Sequence, residues 1–195
     1  SGNAGLAVDF KGNITGIYLA QMLRGTAGKN VFGGDSIAIS LDGKVDAKDI
    51  VLSGAGRTPA EIRNGFKGSA TLGGYIYPAV DSSSRSSMIF LAGIGSLFSD
   101  DAKLGSVVLK RFVNRQNPID GKVGFQGDTV SSDNVRIMGD KAVARVTGHT
   151  NTATAVTQTT IVTSTDDNAA RNLVTTVKGA LSAPELDTDQ VAANK

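Results

Sequence analysis

Residues 119–151 read IDGKVGFQGDTVSSDNVRIMGDKAVARVTGHTN, and apolar side chains recur there at every second position. The alternating residues are Val123 and Phe125, then Val135 and Ile137, then Ala142, Ala144 and Val146. Turn-forming residues separate these runs, at Asn117-Pro118, Asp120-Gly121, Ser132-Asp133-Asn134 and Gly139-Asp140. Alternation interrupted by turns is typical of antiparallel strands joined in chain order. The stretch therefore predicts an antiparallel meander.

Three other parts of the chain alternate in the same way, residues 6–14, 36–52 and 173–181. Alternation over this length indicates half-buried strands. Asp42-Gly43 interrupts the second of these parts, and it either closes a tight hairpin or forms a bulge within one long strand. The sequence leaves both alternatives open.

Short helices are predicted at about 17–24, 58–66 and 85–115. The second has the clearest start, TPAE at residues 58–61, with Thr58 at the N-cap, Pro59 at the first helical position and Glu61 completing a capping box. The predicted fold class is α+β, mainly β: a curved antiparallel sheet or meander with a few short helices packed on one face. We expect residues 1–186 to form a single domain and the tail at 187–195 to be disordered.

The composition argues against several classes of protein. Of the 195 residues, 40% are hydrophobic and 19% are charged, as in a folded globular domain. The net charge of +2 argues against a nucleic-acid-binding protein with a basic surface. The chain has no cysteine, which excludes disulfides and thiolate metal sites. Its longest apolar segment, residues 88–98, is shorter than the roughly 18 residues that span a bilayer.

Two glycine pairs superficially resemble a dinucleotide-binding turn. In VLSGAGRTPAEIRNGF, residues 51–66, Gly54 and Gly56 follow an apolar strand and precede a helix. A dinucleotide-binding turn needs a third glycine three positions later, where Pro59 stands, and a longer crossover helix. The stretch GIGSLF, residues 93–98, lacks the third glycine as well. We therefore expect no nucleotide and no cofactor.

The residues also argue against catalysis and metal binding. The single histidine, His149, lies in a threonine-rich strand region that is expected to face solvent, and no nucleophile stands in a recognisable elbow. The pair Asp100-Asp101 is explained by a helix dipole, and Asp166-Asp167 lies at a predicted turn. No calcium-binding loop has the required spacing of oxygen ligands. We predict that the protein is not an enzyme and holds no metal.

The segment MIFLAGIGSLF, residues 88–98, is apolar on all sides if it is helical. Such a helix either packs in a core or lines an apolar groove, and both alternatives stay open. In the second case the side chains that face lipid acyl chains are Ile89, Phe90, Leu91, Ile94, Leu97 and Phe98. Lys110, Arg111 and Arg115 follow, and we interpret them as a solvated helix end rather than a site for lipid headgroups.

Four segments resemble the C-terminal region of the AsmA family of Gram-negative envelope proteins. They are ITGIYLAQMLRG, VLSGAGRTPAEIRNGFKGSATLGGYI, the meander quoted above and LVTTVKGALSAPEL, which together cover about residues 8–186. The second is the most specific, with an apolar strand, a Gly-x-Gly-Arg-Thr-Pro turn, a short helix and a Gly-Ser strand. YIYPAVD, residues 75–81, departs from the family pattern, in which a charged residue and a glycine are more usual, so the geometry of that turn stays open.

The resemblance implies a non-enzymatic periplasmic domain of an inner-membrane-anchored protein involved in outer-membrane biogenesis. Members of that family are expected to form long, curved β grooves with apolar interiors, similar to bridge-like lipid transporters. The implied partners are phospholipid acyl chains and other envelope proteins, with the membrane reached only through a segment outside this chain. An alternative stays open, a structural or scaffold module that binds other envelope proteins through its sheet edges. The family brings no shared catalytic residue.

Overall fold

Nine strands and one short helix make up the parts of the chain that this computed structural model describes, residues 5–18, 39–80, 110–166, 171–180 and 185–192. The strands are β1 Leu6–Tyr18, β2 Ile39–Gly56, β3 Lys67–Val80, β4 Asn117–Gln126, β5 Thr129–Gly139, β6 Ala142–Asn151, β7 Val156–Thr165, β8 Arg171–Ala180 and β9 Glu185–Ala192, and the helix is α1 Pro59–Asn64. Every neighbouring pair is antiparallel, and the order in the sheet is the order in the chain. The prediction of a mainly β, curved antiparallel meander is confirmed, and β1 and β9 are its two edges.

The strand register places all the buried side chains of the described residues on one face of the sheet. Directly opposed residues of an antiparallel pair point to the same side, as in the row Ile119, Ile137, Ala144, Thr163 and Leu173. We call this side the apolar face; its buried side chains are Ile50, Ala70, Ile119, Val135, Ala142, Ala144 and Leu173, with Asn117, Thr157, Thr163 and Thr165. The other side, the polar face, carries among others Lys11, Ser69, Ser131, His149, Gln158 and Lys178.

Residues 39–56 form one long strand, which settles the alternative that the sequence left open. Asp42 and Gly43 pair regularly with Tyr77 and Ile76 of β3, so they form neither a hairpin nor a bulge. The bulge lies further on, at Asp49, where the register against both neighbouring strands shifts and φ is 50°.

Two of the turns that the sequence predicts in the meander lie inside strands in the structure. Asp120-Gly121 lies within β4, and the register of β5 shifts between Ser132 and Val135, so a bulge takes up the residues 133–134. The β4–β5 turn is at Gly127-Asp128, and the β5–β6 turn includes Asp140, close to the predicted Gly139-Asp140. A polar residue or glycine suits a bulge as well as a turn, so residue type alone does not separate the two.

The predicted helix at 17–24 is wrong at its start, because Ile17 and Tyr18 belong to β1 and pair with Val45 and Lys44. A bulge precedes them, where Gly16 has φ of 74° and its N–H donates to Asp46 Oδ1 at 2.8 Å. The remainder of that prediction, residues 19–24, lies outside the described residues. Most of the predicted helix at 85–115 also lies outside them, and residues 111–114 form a turn.

The tail that we expected to be disordered contains a strand, since residues 185–192 pair antiparallel with β8. The strand is acidic, with Glu185, Asp187 and Asp189 exposed at alternate positions. Backbone hydrogen bonds to a neighbouring strand need no apolar side chain, so the polar composition that suggested disorder is compatible with an edge strand.

The helix α1 begins as the sequence predicts. Thr58 is the N-cap and its Oγ1 accepts a hydrogen bond from the Glu61 N–H at 3.2 Å, while Pro59 is the first helical residue. The Glu61 carboxylate reaches back one residue further than in a capping box and accepts from the Arg57 N–H at 2.6 Å. Glu61 therefore forms hydrogen bonds with both residues of the turn between β2 and α1, Arg57 and Thr58.

A buried asparagine fixes the turn at 111–114 to the start of β4. Asn117 is fully buried, and its Nδ2 donates to the carbonyl oxygens of Phe112 at 2.7 Å, Arg115 at 3.0 Å and Ile76 at 3.4 Å. The Asn114 N–H in addition donates to the Pro78 carbonyl at 2.7 Å. One side-chain amide thus joins the turn to β3.

We expect Thr58→Ala to lower the free energy of unfolding by about 1 kcal/mol, because the variant loses the N-cap hydrogen bond. Chemical denaturation measures this change. Thr58→Ser, which keeps the hydroxyl, is the matched control and is expected to retain most of the stability. Equal losses in both variants would show that the methyl group, and not the cap, carries the effect.

We expect Asn117→Leu to lower the free energy of unfolding by at least about 2 kcal/mol, since each buried carbonyl that loses its donor costs about 1–3 kcal/mol. Gln158→Ala, at an exposed position of the polar face, is the control and should change stability by less than about 0.5 kcal/mol. A leucine variant as stable as the control would contradict the role given to this side chain.

Candidate functional site

Two pieces of chain fold over the apolar face at opposite ends of its strands. At the end where β2 finishes, α1 packs on Gly54 and Gly56, both on the apolar face. A Cβ on Gly56 would lie 2.6 Å from the Glu61 Cβ, so only glycine allows this approach. The two glycines that superficially resembled a nucleotide-binding turn therefore serve helix packing.

At the other end of the strands, the turn at 111–114 packs where β5 ends and β6 begins. A Cβ on Gly139 would lie 2.7 Å from the Arg111 carbonyl and 2.8 Å from the Phe112 ring. The Asp140 N–H donates to the Arg111 carbonyl at 2.9 Å, and the Asp140 carboxylate lies 3.4 Å from the Arg111 guanidinium and 3.3 Å from that of Arg115. These two arginines hold the turn against the sheet, a role that the interpretation as a solvated helix end did not anticipate.

Between these two ends, the apolar face presents large side chains that are only half-buried. They include Leu52, Leu72, Val123, Phe125, Val130, Ile137, Val146, Ile161 and Val177. They extend from β2 to β8, and the chemistry they offer is contact with apolar matter. We take this central part of the apolar face as the candidate binding surface.

Threonines line the same face on the β6–β7 side, and their hydroxyls are hydrogen-bonded to one another. Thr157 Oγ1 lies 3.0 Å from Thr150 Oγ1 and 2.9 Å from Thr159 Oγ1, and it donates to the His149 carbonyl at 3.4 Å. Because these hydroxyls bond within the protein, the buried polar groups cost little and each threonine presents its methyl group as well. The apolar character of the face thus continues across β7.

The polar face carries the charged groups of the central strands. Asp120 and Arg136 lie directly opposite each other in β4 and β5, and the Arg136 Nε and Nη2 donate to the two Asp120 carboxylate oxygens at 2.7 and 2.6 Å. These hydrogen bonds lower the pKa of Asp120; partial desolvation opposes the shift, and the positive charge of Arg136 adds to it. The same pairing raises the pKa of Arg136.

His149 lies on β6 of the polar face, exposed to solvent as the sequence predicts. Its opposed neighbours are Ser131 and Gln158, and no acidic partner of its side chain is present among the described residues. Nowhere in the described residues do three His, Cys, Asp or Glu side chains lie close enough together to hold a metal ion. Among the described residues, no helix is long and apolar enough to cross a membrane.

The six side chains that the sequence suggested as lipid-facing, Ile89, Phe90, Leu91, Ile94, Leu97 and Phe98, lie outside the described residues. The same holds for Asp100, Asp101 and Asp167. Reasoning from the residues named lipid-facing side chains only in that segment; an apolar groove in the sheet was expected only from the resemblance to the AsmA family, and no residue of it was named. The alternation within each strand indicates which of its residues share a face. Only the register between strands shows that these faces form one continuous apolar surface.

We expect the stability contributed by Asp120 and Arg136 to depend on pH. The pKa of Asp120 is lowered on folding, so this contribution is present above the unfolded pKa of about 3.9 and is lost as the pH falls through the folded pKa. Carboxyl NMR measures that pKa directly. Arg136→Gln should raise the pKa of Asp120 towards its ordinary value, whereas Arg145→Gln, one strand further on, should not. An unchanged pKa in Arg136→Gln would contradict the pairing.

Comparisons of the chain with protein-family models, with curated proteins and with solved structures found no match. The resemblance to the AsmA family therefore stays an expectation drawn from the segments quoted above.

Proposed function

We propose that the protein is a non-enzymatic lipid-handling domain that shelters acyl chains on the apolar face of its sheet. The observation that carries this proposal is the continuous set of half-buried apolar side chains from β2 to β8, between α1 and the turn at 111–114. Full burial of a large apolar side chain is worth about 1.5–3 kcal/mol, and a half-buried side chain has gained only part of it. An apolar ligand on this surface would recover part of that free energy.

The dimensions of the surface suit an acyl chain. Seven strands, β2 to β8, are separated by six spacings of about 4.8 Å, which is about 29 Å measured along the sheet. The hydrocarbon core of a bilayer is about 30 Å thick, so one leaflet's acyl chains extend about 15 Å. The surface is therefore wide enough for an extended chain lying across the strands. No charged or catalytic group is needed for such contact, since acyl chains are recognised by apolar area alone.

The resemblance to the AsmA family supports the biological setting that we propose. In that setting the domain is periplasmic, is part of an inner-membrane-anchored protein, and contributes to outer-membrane biogenesis by lipid transport along the apolar surface. Its partners there are phospholipid acyl chains.

A second candidate function is a scaffold module that binds other envelope proteins through a sheet edge. The observation that favours it is the edge strand β1, on which Leu6, Val8, Phe10 and Ile14 are exposed large hydrophobic residues. Unpaired backbone groups beside apolar side chains are the usual acceptor for an added strand.

Lipid extraction separates the two candidates. The protein is purified without detergent and extracted into organic solvent, and phospholipid is measured by mass spectrometry. The lipid-handling proposal expects phospholipid at a fixed ratio to protein. Protein that is free of lipid, and that also fails to take up lipid from vesicles, would contradict it and favour the scaffold function.

Two neighbouring residues of β7 offer a matched pair of variants. Ile161 lies on the apolar face, opposite Val146, and Val162 lies on the polar face, opposite Arg145; both are half-buried. We expect Ile161→Glu to weaken binding of a phospholipid with a fluorescent acyl chain at least tenfold, because a carboxylate is costly to cover with hydrocarbon. Val162→Glu should leave binding within about twofold.

Circular dichroism of both variants should retain the β-sheet signal, which shows that the fold is kept. Equal affinity of the two folded variants for the fluorescent lipid would show that the apolar face is not the binding surface.

A further inference from the structure

The two edges of the sheet differ in how they are protected. On β9, exposed carboxylates stand at three alternate positions, Glu185, Asp187 and Asp189, and they would repel the same strand of another copy. Charges on edge strands are a common means of preventing strand addition. On β1 the charged residues are one of each sign, Asp9 and Lys11, both exposed on the polar face.

The other side of β1 is apolar and exposed. Leu6 is 65% exposed, Val8 43%, Phe10 44% and Ile14 48%, and all four point to the apolar face. Residues 6–14 contain no proline, and the bulge of β1 itself lies after Ile14. The register against β2 shifts between Gly12 and Ile14 because the extra residue there belongs to β2. This segment is a nine-residue edge, with a regular register against β2 from Leu6 to Gly12, and its outer backbone groups belong to no strand of the described sheet.

The sequence of β1 complements itself in one antiparallel register. When Phe10 of one copy lies opposite Phe10 of the other, Asp9 faces Lys11 twice, Leu6 faces Ile14 and Val8 faces Gly12. Both opposite-charge pairs then lie on the polar face, and the apolar residues meet on the apolar face. Opposed apolar pairs and opposed opposite charges each stabilise a sheet.

The neighbouring registers are less favourable. A register shifted by an odd number of residues would oppose the apolar face to the polar face. A register shifted by two residues is centred on Asp9 or on Lys11. In the first case the Asp9 residues of the two copies lie opposite each other, and in the second case the two Lys11 residues do. Like charges directly opposed are destabilising. The Phe10-centred register is therefore the one in which both charges of β1 find opposite partners.

We infer that β1 is a self-association edge, through which two copies of the chain join antiparallel about Phe10. The two sheets become one, and the apolar face continues across both copies. This is an isologous contact, so it closes at two copies. The inference concerns assembly and holds whether or not the apolar face binds lipid.

Charge reversal at Asp9 and Lys11 tests the register, because neither residue has a charged opposite in its own sheet. Asp9 lies opposite Ser53 and Lys11 opposite Val51. Asp9→Lys alone, or Lys11→Asp alone, would create two like-charge pairs across the contact. The double variant restores opposite charges with their positions exchanged.

Sedimentation velocity over a range of concentrations measures the association of the full 195-residue chain. We expect a concentration-dependent dimer of the wild type, dissociation constants at least tenfold weaker for each single variant, and recovery in the double variant. An equimolar mixture of the two single variants should form a heterodimer, since each then meets the opposite charge. Asp189→Lys, on the β9 edge, is the matched control and should associate as the wild type does.

Disulfide formation gives an independent reading of the register. The chain has no cysteine, so Phe10→Cys introduces one thiol per copy. In the Phe10-centred register the two thiols are directly opposed, at about 5 Å between Cβ atoms, within reach of a disulfide. In the same register, residue 8 of one copy lies four residues along the strand from residue 8 of the other copy. The two thiols of the Val8→Cys variant would therefore be about 13 Å apart and should not cross-link.

A wild type that stays monomeric at every concentration would overturn the inference. So would larger open-ended oligomers that Asp189→Lys weakens, because they would show β1 pairing with β9. Single charge variants that associate as tightly as the wild type would also overturn it. The same holds if the Val8→Cys variant forms the cross-link and the Phe10→Cys variant does not.

Discussion

The structure depends on keeping the buried side chains of the described strands on one face of a curved sheet. Three bulges in the described strands make this possible, because after each of them the residues that face the apolar side change from even to odd numbers, or the reverse. In β5, Val130 precedes the bulge and has an even number, whereas Val135 and Ile137 follow it and have odd numbers, yet all three lie on the apolar face. The bulges at Asp49 in β2 and Gly16 in β1 act in the same way. Without these bulges, half of each affected strand would point its apolar residues towards solvent.

The bulges also explain which parts of the fold could be predicted from the sequence. Local alternation predicts the strands well, because between bulges the side chains of a strand point alternately to its two faces. The residues Thr58, Pro59 and Glu61 likewise predict the start of α1, since capping depends on contacts within a few residues. Turn and bulge signals share the same residue types, so the sequence predicts a turn at Asp120-Gly121, which in the structure lies within β4. The strand β9 was missed because its pairing depends on β8 and not on its own composition.

The candidate surface was less predictable than the fold. A binding surface that extends across seven strands is defined by the register between them, and no single segment of sequence carries that information. The apolar segment at 88–98 is recognisable in the sequence because its apolar residues are contiguous. Residues such as Leu72, Val123 and Ile161 become neighbours of one surface only through the pairing of β3 to β7.

The order of the strands has a consequence for how the sheet assembles. From β4 to β9 each strand pairs with the one that follows it, and the connections between them are short, with the longest spanning residues 166–170. The pairing of β3 with β4 instead joins Lys67 to Gln126 across a long stretch of chain, and β1 and β2 are separated by residues 19–38. Closing a long loop costs more conformational entropy than closing a short one, and proteins rich in local contacts fold faster. We therefore expect β4 to β9 to pair first, one hairpin after another. Strands β1, β2 and β3 would then pair onto the edge of β4.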